Sequence, residues 1–196
     1  FCVDAIQSLG AVPLDVRAIR ADFVVADGHK WLLGPEGIAL FYCRRELLGT
    51  LRLHQFGWHM VESLGDYDRR DWVPARSARR FECGSPNMLG IHALEASLSL
   101  LEDAGADCIY GNIMRNSSYL INYLDNNSDR YHLVTPRPDP RHAGIVSFKP
   151  LHGDVQALHR RLQDAGVVCA VRSGALRFSP HFHTPQDTLE RATALL

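Results

Sequence analysis

No apolar run in this chain approaches the roughly 20 residues that a membrane-crossing helix needs, and no signal peptide is expected. Metal-ligand spacing is also missing: there is neither CxxC nor HExxH. The ten histidines therefore read as satisfied or solvated side chains. His54 and His59 stand five apart, and His181 and His183 alternate as strand residues do. The five cysteines, Cys2, Cys43, Cys83, Cys108 and Cys169, are odd in number and scattered. That favours reduced thiols in a cytoplasmic protein over a disulfide frame. Charge of one sign is lacking too. Lys and Arg number 21 against 22 Asp and Glu, which argues against a nucleic-acid partner and its basic excess. Residue 1 is not methionine and opens inside an apolar run, Phe1-Cys2-Val3. The expectation is a fragment, the second half of a longer protein.

What is present is an ordinary globular composition, 46% hydrophobic over 196 residues, near the upper end of one domain or enough for one and a half. The most informative stretch is Asp27-Gly28-His29-Lys30-Trp31-Leu32-Leu33-Gly34-Pro35-Glu36-Gly37. Apolar runs flank it, Phe23 to Ala26 before and Ile38 to Tyr42 after, so it reads as strand, polar turn, strand. A lysine at the rim of a buried sheet can be desolvated into a nucleophilic amine. The alternative for any single lysine is a solvated loop residue.

Three further blocks accompany it. Phe1 to Val3 reads as a buried parallel strand with Asp4 at its carboxyl end, the edge where ligands gather in open α/β sheets; Asp4 could merely cap the helix that follows. Gln7 lies one turn further on. Arg80 to Asn87 contains Gly84-Ser85 ahead of a helix that Pro86-Asn87 would open, either an anion site or an ordinary cap. Leu176-Arg177-Phe178-Ser179-Pro180-His181 places an arginine on a strand. A guanidinium there either pairs bidentately with a carboxylate ligand or makes a structural salt bridge.

Between these blocks the periodicity predicts a short helix within 8–21 and a helical turn at 44–48. Long helices follow, from Leu89 to Gly105 and from Ile109 to about Leu124. Residues 51–79 read as a long aromatic-rich loop. The remainder reads as a small α/β unit: strands at 131–135, 144–148, 167–171 and 175–178, a rigid loop at 136–140, and helices from Asp154 and from Pro185 as first helical residue. The expected division is 1–100 and 101–196.

In their order, the four blocks resemble the class V aminotransferase branch of the fold-type I pyridoxal-phosphate enzymes. That branch includes cysteine desulfurases, selenocysteine lyases and isopenicillin-N epimerase-like proteins. The resemblance implies an α/β fold: part of a mainly parallel large-domain sheet and a small α/β C-terminal domain. It implies pyridoxal 5'-phosphate as cofactor, with Lys30 forming the internal aldimine and moving the proton at the substrate's alpha carbon. Asp4 would pair with the pyridinium nitrogen. Gln7 and His29 would line the cofactor, and Gly84 and Ser85 would reach the partner subunit's cofactor phosphate in a homodimer. Arg177 would take the alpha-carboxylate of an amino-acid substrate.

Transaminase, lyase and epimerase chemistry share these parts. Asp27 departs from the serine common in desulfurases and is expected to turn away or bond backbone groups. Only Ala175 and Leu176 separate Gly174 from Arg177, too few for the mobile cysteine loop of one desulfurase type. Desulfurase or selenocysteine-lyase activity is the alternative, and an inactive fragment or non-catalytic binding module the second alternative. An unrelated α/β binding domain with chance motifs is a third.

Overall fold

The computed structural model describes residues 1–137 and 141–196. The last three residues of the expected 136–140 loop lie outside them. The chain forms two compact units, one of residues 1–9 and 14–103, the other of 10–13 and 104–196.

The first unit is built on a three-stranded sheet of β1 (Cys2–Asp4), β2 (Phe23–Asp27) and β3 (Ala39–Cys43), in that order. β1 and β2 run parallel, whereas β3 returns antiparallel. Alternation along the strands divides the apolar residues between two faces. Val24 and Ala26 pack against Ala5 and Ala21, joined by Val3, Leu9, Leu14, Val16 and Tyr42. On the opposite face the register aligns Asp4, Val25 and Phe41. That face stays open: Val25 is 37% and Phe41 44% exposed.

Residues 8–21 contain turns and no helix. Asp15 accepts hydrogen bonds from the backbone N–H of Arg17 and Ala18, which closes a turn that goes no further. This competition between an aspartate side chain and the helical ladder overrides the weak periodicity of Val16 and Ile19. The helical turn expected at 44–48 is a short 3₁₀ segment, Arg45–Leu47.

The long loop from 51 to 79 is tied down by backbone bonds. Ala75 donates to Met60, Glu62 donates to Val73, and Val61 bridges to Pro74. Gly57 sits against the carbonyl of Cys83, where an added Cβ would lie 1.8 Å from the oxygen. Phe56 and Trp72 pack edge to face at 5.3 Å yet remain exposed. The unit ends on α1 (Met88–Ala104). Its N-cap is Asn87, whose Oδ1 accepts from the Gly90 N–H at 3.0 Å.

The second unit opens with α2 (Ala106–Asn126), after Gly105 turns the chain at φ 79°. Four antiparallel strands follow, β4 (Tyr131–Leu133), β5 (Val146–Pro150), β6 (Ala170–Arg172) and β7 (Ala175–Phe178). Their order is β4-β5-β7-β6. Two helices complete it, α3 (Val155–Asp164) and α4 (Gln186–Ala194). Asp154 caps α3 by accepting from Gln156 and Ala157. Pro185 stands at the N-cap of α4, one residue before the position expected for it. Phe148, Leu162, Leu176 and Val146 are fully buried here, continuous with Leu120 and Leu124 of α2.

Candidate functional site

Asp4 is the last residue of β1, and Lys30 follows the end of β2 by three residues. Because these strands are parallel, both residues emerge at the same carboxyl edge of the sheet. Lys30 is partly buried, on a loop held by its own backbone. The Gly28 N–H donates to the Ile38 carbonyl at 2.8 Å, the Gly34 N–H to the Gly28 carbonyl at 2.8 Å, and the Leu33 N–H to the Lys30 carbonyl at 3.1 Å. Trp31 and Leu32, directly after the lysine, are 5% and 3% exposed and anchor the loop in the core. A Cβ at Gly34 would stand 2.8 Å from Leu94 Cδ1 of α1 and 3.1 Å from the Gly28 carbonyl oxygen. The glycine is what lets the loop lie this close to the helix.

The neighbours of the lysine divide by role. Asp27 accepts from the backbone N–H of Gly28 at 3.2 Å, the backbone bond its sequence position suggested. His29 is partly buried. Its Nδ1 lies 3.4 Å from Asp27 Oδ1, within ion-pair reach but out of hydrogen-bond alignment. Asp4 is exposed and accepts from the Ile6 N–H at 3.1 Å. Gln7 is exposed, on the turn closed by the Leu9 N–H to Ala5 carbonyl bond at 2.8 Å.

Gly84 and Ser85 precede α1 and are exposed. Because Asn87 supplies the cap, the Ser85 hydroxyl is not spent on the helix terminus. Both residues line a cavity of about 740 Å³ with Ile38, Ala39 and Leu94; Lys30 and Asp4 are not in its wall. The six residues Asp4, Gln7, His29, Lys30, Gly84 and Ser85 all belong to the first unit, whereas Arg177 belongs to the second. Arg177 lies on β7, paired with Ser147 on one side and Ala170 on the other. It is half-buried, and its Nε is buried without a hydrogen-bond partner.

Two supporting residues escaped the sequence reading. Ser97 of α1 donates its hydroxyl to the Leu33 carbonyl at 2.9 Å, linking the helix to the lysine loop. Asn116 of α2, 2% exposed, donates to the carbonyls of His181 and Thr184 at 3.1 Å each, fixing the segment that follows Arg177 and β7. Each is a polar residue next to an apolar helical stripe, Leu94/Leu98/Leu101 for Ser97 and Ile113/Leu120 for Asn116. That intrusion was the available signal. Asn87 has a second task as well, donating from Nδ2 to the Gly37 carbonyl at 3.2 Å.

The site is thus a lysine on a braced loop at the carboxyl edge of a mixed sheet, with an aspartate at the end of the adjacent parallel strand. The class V aminotransferase family model matches residues 1–185, and the chain belongs to that family. Over 97% of its length it is 30% identical to an uncharacterized aminotransferase, YcbU, of Bacillus subtilis, covering 49% of that protein. Over its whole length it is 29% identical to a probable cysteine desulfurase of Pyrococcus abyssi, covering 51% of it. The apo structure of a cysteine desulfurase from Thermococcus onnurineus superposes on the entire chain with a TM-score of 0.87 at 26% identity, covering 51% of that protein. The chain thus spans about half the length of the relatives it matches, and its fold is the C-terminal part of the pyridoxal-phosphate-dependent transferase fold.

Proposed function

We propose that this chain carries the lysine half of the active site of a pyridoxal 5'-phosphate enzyme acting on an amino acid. The observation that carries it is the placement of Lys30 and Asp4 at one carboxyl edge, with Lys30 on a loop braced by Gly34, Ser97 and Asn87. The donor set suits the cofactor: a partly buried amine, an exposed carboxylate, an amide, and an imidazole whose Nδ1 has no hydrogen bond. When bound, the cofactor supplies an electron sink for the pair released at the substrate's alpha carbon.

The chain's own residues do the rest. Lys30 would hold the cofactor through its amine and, once the substrate's amine has displaced it, would accept or return the proton at the alpha carbon. Asp4 keeps the ring nitrogen protonated. Gln7 and His29 hold the polar rim of the ring. Arg177 orients the substrate through its alpha-carboxylate by paired N–H bonds. In a homodimer, Gly84 and Ser85 serve the partner's cofactor phosphate, and the exposed ring pair of Phe56 and Trp72 is covered.

The reaction is transamination, elimination or epimerisation. Cysteine desulfuration is the second reading, suggested by the names of the relatives. Against it, β6 and β7 are joined by a two-residue turn at Ser173 and Gly174, which leaves no loop for a mobile cysteine. The 196 residues alone are inactive, because they amount to half the family fold. The odd number of scattered cysteines favours a cytoplasmic setting. Among the described residues no helix is long and apolar enough to cross a membrane.

The test uses the longer polypeptide that contains this chain, loaded with cofactor and offered a panel of amino acids while the visible absorption of the cofactor is followed. Spectral change with at least one amino acid, lost in Lys30→Ala and shifted to high substrate concentration in Arg177→Ala, is expected. Unchanged spectra in Lys30→Ala would sink the assignment.

A further inference from the structure

At the end of the first unit's sheet remote from Lys30 lies a cavity of about 690 Å³ lined by Arg17, Arg20, Arg44, Arg45 and Arg76, with Glu46 as the one acid in the wall. The register fixes its place. Phe23 opposes Cys43 at this end and Asp27 opposes Ala39 at the lysine end, and four strand rises put about 13 Å between them. Nothing in the proposed lysine chemistry uses these arginines.

In a chain with net charge −1, five exposed arginines in the wall of one concavity need a reason. Nearby acids offset only part of it. Asp22 takes Arg44 at 2.9 Å, Glu46 stands 3.7 Å from the same arginine, and Glu62 lies 3.8 Å from Arg76. Asp15, close to Arg17, is already engaged with two backbone N–H groups. Among the described residues Arg17, Arg20 and Arg45 have no ion pair. Arg80 adds to the positive field: its charge is felt at Cys43 in the cavity wall, and its Nε is buried without a hydrogen-bond partner.

Clustered like charges repel one another, and the repulsion is relieved when an anion enters. The cavity falls in the size range of small-molecule sites, and planar guanidinium forks match phosphate oxygens. We infer that this arginine-lined cavity is a binding site for a compact, multiply charged phosphate-bearing small molecule, separate from the lysine site. A concave site of this volume favours such a ligand over an extended acidic protein surface.

The experiment is calorimetric titration of the longer, cofactor-loaded polypeptide that contains this chain with tripolyphosphate at low and high salt, with poly-glutamate in parallel. Saturable binding weakened by salt, and weakened at least ten-fold in Arg20→Gln/Arg45→Gln, is expected. Both arginines are exposed, so the thermal unfolding midpoint of the double variant should stay unchanged; Arg17→Gln provides a second, independent weakening. Lys30→Ala, Ser85→Ala and, on α3 of the second unit, Arg160→Gln should leave the affinity as it was. Loss of binding in Lys30→Ala or Ser85→Ala would assign the anion to the cofactor residues instead. No binding, binding indifferent to the arginine variants, or tighter binding of poly-glutamate than of tripolyphosphate would each overturn the inference.

Discussion

The two units differ in how completely they bury themselves. In the second, a four-stranded antiparallel sheet, α3, α4 and α2 close over Phe148, Leu162, Leu176 and Val146, each at 0% exposure. In the first, one face of the three-stranded sheet is covered by alanines and valines, while the face bearing Asp4, Val25 and Phe41 is open. The proposed chemistry sits almost entirely on the less buried unit. Precision there comes from backbone ties and close approach: Gly34 against Leu94, Ser97 to Leu33, Asn87 to Gly37, Gly57 against Cys83. A site can be held rigidly by such contacts without a deep core around it.

The contrast can be broken first where burial is greatest. Phe148→Ala removes a ring packed edge-on to Tyr131 and Phe178. It should cost about 3–5 kcal/mol, measured as the shift of the denaturant midpoint of the second unit. A loss much smaller than that would mean this core is not what holds the unit. Gly34→Ala attacks the first unit at its tightest point. Leu94 must shift to admit the methyl, at about 1–3 kcal/mol, and hydrogen exchange should rise across 28–38 and the facing turn of α1, with the second unit unaffected.

The smallest expected effect is a matter of pH. Burial raises the pKa of the Cys169 thiol above its ordinary value. As pH climbs past the ordinary thiol value, the unfolded chain gives up this proton first, so the thiol's contribution to stability is full below that pH and declines above it. Alkylation of folded Cys169 should therefore accelerate only at a pH above the ordinary thiol range. Acceleration below it would show the thiol to be open to solvent.

Much of this was legible in the residues. The strand–turn–strand around Lys30, the strand ending in Asp4, the long helices broken at Gly105 and the helix starting near Asp154 all carry local signals: period-two or 3.6 patterning, with glycine between the helices. The segment from 8 to 21 was misread because Val16 and Ile19 mimic a helical stripe while Asp15 diverts the backbone into turns. Pro185 was displaced by one residue, since cap and first helical position are hard to separate from composition. Ser97 and Asn116 went unseen because a single polar residue on an apolar face looks like noise until its distant carbonyl partner is known. The arginine cavity was invisible for the same reason: its walls come from 16–21, 42–48 and 76–78, stretches that composition alone does not bring together.

The central claim is that Lys30 is the amine that takes the cofactor. Borohydride reduction of the cofactor-loaded, full-length polypeptide, followed by peptide mapping, tests it most directly. The account predicts a single pyridoxyl group on the peptide containing Lys30, and none there in Lys30→Ala. A pyridoxyl group on Lys149 of β5, the other lysine of these 196 residues, or on any lysine outside this chain, with Lys30 unmodified, would contradict it.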